Sequence, residues 1–146
     1  MNRMEKANSV HEKGFNCCQS VLAAFSDLYD VSEETALRIG AGFGGGAGTG
    51  ELCGAITGAV MALDLIACGD VTGDPVSAKR AAAARSKELQ NRFMEQFGAL
   101  RCQELLRNEK EEPSEAVKAL GITKHCGVMI ASAVELVEEL LKEEAQ

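Results

Sequence analysis

The stretch from Gly40 to Gly58, GAGFGGGAGTGELCGAITG, sets the terms for any fold of this chain. Glycines at 40, 42, 44, 45, 46, 48 and 50 argue against a helix or strand there, because glycine loses more backbone freedom on ordering than any other residue. Such a loop is kept where the chain needs positive φ, or where another backbone or a ligand must come close. Cys53 follows, and then a run of small apolar residues that reads as the start of a buried helix. Gly54, Gly58 and Ala62 recur every four residues, so they share one helical face and leave a flat groove for a neighbouring helix or a flat group. Membrane helix dimers use similar spacing, but Asp64 interrupts the apolar run well short of the ~20 residues a span needs. No membrane insertion is expected.

Helical periodicity organises the rest. Residues 3–13 read as a short polar helix closed by Gly14, and Asn16 is a good N-cap for a helix over 17–29 with Val21, Leu22, Phe25 and Leu28 as its apolar stripe. Ser32, followed by Glu33 and Glu34, opens a brief third helix carrying Ala36, Leu37 and Ile39 into the glycine loop. The small-residue helix runs from about Glu51 to Cys68, and the cluster Gly69, Asp70, Gly73, Asp74, Pro75 breaks it. A long helix from Pro75 to Asn108 follows, with Leu89, Phe93, Phe97 and Leu100 at helical spacing and Gly98 as the candidate break before a second piece, CQELLRN. NEKEEPSE reads as a loop, Gly121 ends a short helix, and Thr123 to about Glu143 forms the last one, with Ile130, Ala133, Val134, Val137 and Leu141 on its buried edge. No alternating β pattern is present. The expected class is all-α: one domain over residues 1–146, a bundle of about five to six helices, with the glycine-rich loop before a central buried helix.

A chain of 146 residues buries roughly two-thirds of its unfolded surface without metals or bridges, so folding alone does not explain six cysteines. The N-terminus MNRMEKANSVHEKG lacks the apolar stretch of a secretory signal, so a cytoplasmic location is expected, where cysteines are more often ligands or redox thiols than structural disulfides. A net charge of −7 disfavours nucleic acid and anionic lipid as partners, and the absence of tryptophan disfavours base stacking.

Cys17, Cys53, Cys102 and Cys126 each fall within about a turn of an expected helix N-terminus, where unpaired N–H groups and the helix dipole favour the thiolate. Cys68 lies at the opposite end of its helix, and Cys18 points about 100° away from Cys17. With no CxxC, a shared site must be assembled by tertiary packing.

These segments resemble the C_GCAxxG_C_C family of redox-active proteins. The matching residues are NCCQSVL around Cys17, GFGGGAGTGELCGAITGA around Cys53, FGALRCQELL around Cys102 and HCGVMIASAVELVEELL around Cys126, over about residues 14 to 142. Here Cys53 precedes Gly54, whereas the family name writes the glycine first. Cys18 stands where the family often has a small residue, which leaves Cys17 and Cys18 as alternatives for one position. The resemblance implies that Cys17, Cys53, Cys102 and Cys126 are the characteristic cysteines and that they are redox-active, often in proteins encoded beside transporters. A similar domain in split-Soret type cytochromes makes an iron–sulfur centre an expectation; with no CxxCH, covalent haem is not expected.

Four converging thiolates suit an iron–sulfur cluster or tetrahedral zinc; two pairs suit a dithiol–disulfide cycle. Gly44, Gly45, Gly46, Gly48, Gly50 and Gly54 are the candidates to line a cofactor, the loop donating N–H groups to its sulfurs. An unknown redox partner is implied, and the groove of Gly54, Gly58 and Ala62 with the stripe on the last helix makes a homodimer an expectation. A zinc-binding or metal-handling module and a helical dimer with inert cysteines are the rival readings. The GAGFGG string has no strand before it and no βαβ unit around it, so it is not read as a dinucleotide loop. His125 is a candidate ligand or capping residue, and Asp64 a candidate partner for Arg38 or Arg85.

Overall fold

The computed structural model describes residues 1–107 and 112–146. The first four residues of NEKEEPSE lie outside the described residues. Among those described are eight α-helices: α1 (Arg3–Glu12), α2 (Cys17–Ala24), α3 (Glu33–Ile39), α4 (Gly54–Ala67), α5 (Pro75–Phe97), α6 (Cys102–Leu105), α7 (Glu115–Lys118) and α8 (His125–Glu144). The count exceeds the expected five to six because α6 and α7 are single turns. The class is all-α, in a single domain.

Local chemistry sets the helix ends. Asn2 with Glu5, and Asn16 with Gln19, form reciprocal capping boxes that satisfy N–H groups at the starts of α1 and α2. Ser32 and Asp74 accept from Thr35 N and Ser77 N, and Pro75 takes the first position of α5. Gly98, at φ +72°, ends α5, so the long helix breaks there. The helix expected over 17–29 stops at Ala24 and continues as a 3₁₀ turn, Ser26–Leu28, which leaves Leu28 exposed. Arg3 explains the early stop. Its guanidinium donates to Ala24 O at 2.8 Å, pairs with Asp27 at 2.6 and 3.0 Å, and lies 5.0 Å over the Phe25 ring. It thereby satisfies a carbonyl that the end of α2 would otherwise leave open.

Helices α2, α4 and α8 pack against one another; α1 covers α2 and α8, α5 lies on α4 and α8, and α3 on α2. Val21, Leu22, Phe25, Ile56, Leu63, Met129, Ile130 and Val134 fill the centre, with Phe93 and Phe97 of α5 in contact at 4.8 Å. The groove of Gly54, Gly58 and Ala62 is occupied by α2. A Cβ at Gly58 would lie 2.8 Å from Cys18 O, and one at Gly54 would lie 3.2 Å from Cys17 Cβ. The α8 stripe is likewise used inside the chain, with Ile130, Ala133, Val134 and Val137 buried. The groove is filled within the chain, and of the stripe Leu141 alone stays partly exposed. Arg92 of α5 binds Glu88 at 2.9 Å on its own helix and Glu143 at 2.9 Å on α8, fastening α5 to α8. Asp64 interacts with Arg85, while Arg38 pairs with Glu34. Among the described residues no helix is long and apolar enough to cross a membrane.

Candidate functional site

All four cysteines stand at helix starts. Cys17 is the first residue of α2, Cys53 the N-cap of α4, Cys102 the first residue of α6 and Cys126 the second of α8. Two connections hold them to one region. Leu52 and Arg101 form an isolated antiparallel bridge, with Cys53 N donating to Leu100 O at 2.9 Å and Cys102 N to Glu51 O at 2.6 Å. Cys53 and Cys102 each directly follow a residue of the bridge, and their thiols interact. Across from them the Cys17 and Cys126 side chains interact, and Gly54, next to Cys53, lies against the Cys17 Cβ.

Electrostatics carry the mark of this crowding. The Cys17 thiol is pushed far above its usual value, first by its hydrogen bond with Cys126, then by burial, then by repulsion from Cys126, Cys53 and Cys102. Burial pushes Cys53 up to about 11, although the Ala55 and Ile56 N–H groups at the start of α4 pull the other way; Cys102 and Cys126 add to the rise. Cys102 is raised by burial and by Cys126. The helix N-termini therefore do not yield standing thiolates here. Desolvation and like-charge repulsion outweigh the dipole at Cys17, Cys53 and Cys102, which favours their protonated thiols. Among the described residues no group of three or more His, Cys, Asp or Glu side chains is arranged to hold a metal ion.

The glycine loop has a packing role that its composition suggests only in outline. Gly45, Gly46, Ala47 and Gly48 run consecutively at positive φ, a left-handed turn that only a glycine-rich segment adopts at low cost. Gly44 and Gly50 face the residues beside two of the cysteines: a Cβ at Gly44 would lie 2.5 Å from Asn16 Cβ, and one at Gly50 3.3 Å from Gln103 Cβ. A Cβ at Gly46 would collide with the backbone of Glu51. Gly45 and Gly48 have open space where a side chain would be. Of the six glycines expected to line a cofactor, Gly44, Gly46, Gly50 and Gly54 are thus held by contacts of the chain with itself, threading the loop between the starts of α2 and α6.

Cys18 and Cys68 separate from this group. Cys18 is fully buried and turned toward α4, its Sγ 3.9 Å from Met61 Sδ; burial pushes it up to about 11 against a pull from the Thr57 hydroxyl. Between the two alternatives for that position, Cys17 is the one in the four-thiol group. Cys68 is the C-cap of α4, remote in sequence and helix end from the site. His125 is partly buried at the start of α8. Sequence reasoning missed Glu51, Leu52 and Arg101, which join the Cys53 and Cys102 segments. A one-residue bridge has no periodic signal, and only the charge pair Glu51 and Arg101 hinted at it.

Fold and site together define an all-helical protein that gathers four thiols from four separate segments. The chain belongs to the C_GCAxxG_C_C family, described as "putative redox-active protein", whose profile matches residues 15–140. No curated protein and no solved structure matches the chain significantly.

Proposed function

We propose that this chain is an electron-carrying thiol protein in which Cys17 and Cys126 form the redox couple and Cys53 and Cys102 complete its surroundings. What supports this reading is the interaction of the Cys17 and Cys126 side chains, the strongest that Cys17 has within a group of four thiols that act on one another. Two neighbouring thiols that close to a disulfide give up two protons and two electrons to an acceptor disulfide. Raised thiol pKa values keep the reduced state protonated, so the couple's potential falls as pH rises until the thiols ionise. The experiment is an anaerobic titration with a glutathione redox buffer, with the thiols alkylated and mapped at each potential. It supports the reading if a Cys17–Cys126 disulfide forms with one two-electron midpoint, and overturns it if both remain free thiols at oxidising poise.

A second reading rests on the same crowding. The thiolates of Cys17, Cys53, Cys102 and Cys126 are the donor set that an iron–sulfur cluster uses, and cationic iron would offset their mutual repulsion as the protons leave. The side chains as they stand are not arranged to hold a metal and would have to draw together. The residues that would hold it are Cys17, Cys53, Cys102 and Cys126, with Glu51, Leu52 and Arg101 fixing two of their segments. A bound cluster would supply one-electron transfer; zinc in its place would make the site redox-silent and favour metal handling. Iron, zinc and sulfide analysis on anaerobically purified protein separates these from the thiol couple. The same reading implies a soluble electron partner and does not call on the nucleic-acid or membrane classes.

A further inference from the structure

The arm that carries Cys102 is built differently from the segments around Cys17 and Cys126. It follows the glycine break at Gly98 and holds only the single turn of α6. Gln103, Glu104, Leu106 and Arg107 around Cys102 are exposed, whereas Cys17 is followed by the buried Cys18 and Cys126 by the buried Gly127 and Val128. Ala99 and Leu105 anchor the arm in the core at its two ends. Between them the arm is held by the two backbone bonds of the Leu52–Arg101 bridge and by a two-pronged ion pair. In that pair Arg101 Nε and Nη2 donate to Glu51 Oε2 and Oε1 at 3.1 and 3.0 Å, with Glu104 Oε1 accepting from Nη1 at 3.3 Å. Arg101 is partly exposed where it meets Glu51, and the neighbouring Cys102 is half-buried. Its thiol interacts with Cys126, which interacts in turn with Cys17.

We infer that Cys102 is the catalytic thiol that exchanges with an outside low-molecular-weight disulfide, and that Arg101, through Glu51, is the positioning residue that lets it pass the exchange to Cys126. This rests on Cys17 and Cys126 being the redox couple. Cys102 loses its proton to solvent, and its thiolate attacks one sulfur of the substrate disulfide; that S–S bond breaks and the first substrate thiolate leaves and takes up a proton. Cys126 then attacks the Cys102 sulfur and expels the second substrate thiolate, forming a Cys102–Cys126 disulfide. Cys17 attacks Cys126, forms the Cys17–Cys126 disulfide and returns Cys102 as a thiol. One substrate disulfide becomes two thiols, two protein thiols become one disulfide, and Cys102 is regenerated.

The test mixes the fully reduced chain with dithiobis(2-nitrobenzoate), quenches in acid at successive times, and maps adducts by peptide mass spectrometry. The first adduct is expected on Cys102. In Arg101→Gln that adduct is expected to survive about 2–5-fold longer, the factor an exposed ion pair supplies, and the charge-swapped pair Glu51→Arg with Arg101→Glu is expected to return it toward the parent lifetime. A first adduct on another cysteine overturns the inference. So does an unchanged lifetime in Arg101→Gln, or one that the swapped pair fails to restore, because general loosening of the fold is not repaired by reversing both charges. If Cys102 labels first and Arg101 governs its adduct, but no Cys17–Cys126 disulfide follows, the redox-couple reading fails and the roles of Cys102 and Arg101 stand.

Discussion

Replacing Gly58 by alanine tests the close approach of α2 and α4 that seats Cys17 beside Cys53. A Cβ at Gly58 would lie 2.8 Å from Cys18 O and 3.1 Å from both Cys18 Cα and Val21 Cβ. Two of those three atoms are backbone in the neighbouring helix, so no rotamer change relieves the contact, and α4 must move away from α2. Overpacking costs roughly 1–3 kcal/mol, and a clash with backbone that no rotamer relieves falls in the upper part of that range, about 2–3 kcal/mol, while alanine in a helix interior recovers about 1 kcal/mol over glycine. The net loss is about 1–2 kcal/mol, which for a chain of this length lowers the thermal midpoint by roughly 2–8 °C. Urea unfolding followed by far-ultraviolet circular dichroism measures it directly. Gly42→Ala is the matched control, because that Cβ meets nothing within 4 Å and the residue is not among the glycines at positive φ. It is expected to be neutral or to gain about 0.4–1 kcal/mol through the unfolded chain. A Gly58→Ala protein as stable as the parent would refute the packing argument.

Three further outcomes follow from other parts of the structure. Gly46→Ala combines a φ of +65° with a collision against Glu51 and is expected to cost about 2 kcal/mol or more, read in the same urea experiment. The Tyr29 hydroxyl is buried without a hydrogen-bond partner among the described residues, so Tyr29→Phe is expected to leave stability unchanged or raise it by up to about 1 kcal/mol. Burial raises the Tyr29 pKa; above about pH 10 the unfolded chain loses that proton while the folded chain keeps it, so the parent loses stability with rising pH and the phenylalanine variant loses less. Cys18 and Cys53, both near 11, are expected to react with iodoacetamide about tenfold faster per pH unit up to that value, a profile that mass-resolved labelling reads; a plateau near pH 8.5 would count against their burial.

Helix existence was largely legible in the chain. Asn16 with Gln19, Ser32, Pro75 and Gly98 are local signals, and each acts within a few residues of itself, which is why the ends of α2, α3 and α5 nearest those signals fell where expected. The end of α2 did not, because Arg3 caps it from a separate helix. The same division runs through the site. That Cys17, Cys53, Cys102 and Cys126 begin helices could be read from caps and glycine breaks. Their meeting depends on the Leu52–Arg101 bridge and on α2 lying in the Gly54–Gly58 groove, contacts between residues far apart in sequence. Thiol ionisation was misjudged for a related reason: a dipole is a property of one helix, whereas desolvation and repulsion arise only once separate helix starts pack near one another.

The most direct measurement is the redox midpoint of the parent beside single replacements Cys17→Ser, Cys53→Ser, Cys102→Ser, Cys126→Ser, Cys18→Ala and Cys68→Ser. If four sulfurs share one site, Cys17→Ser and Cys126→Ser abolish the two-electron transition, Cys53→Ser and Cys102→Ser displace it, and Cys18→Ala and Cys68→Ser leave it where it was. A midpoint as indifferent to Cys53 and Cys102 as to Cys68 would mean that the four do not act together.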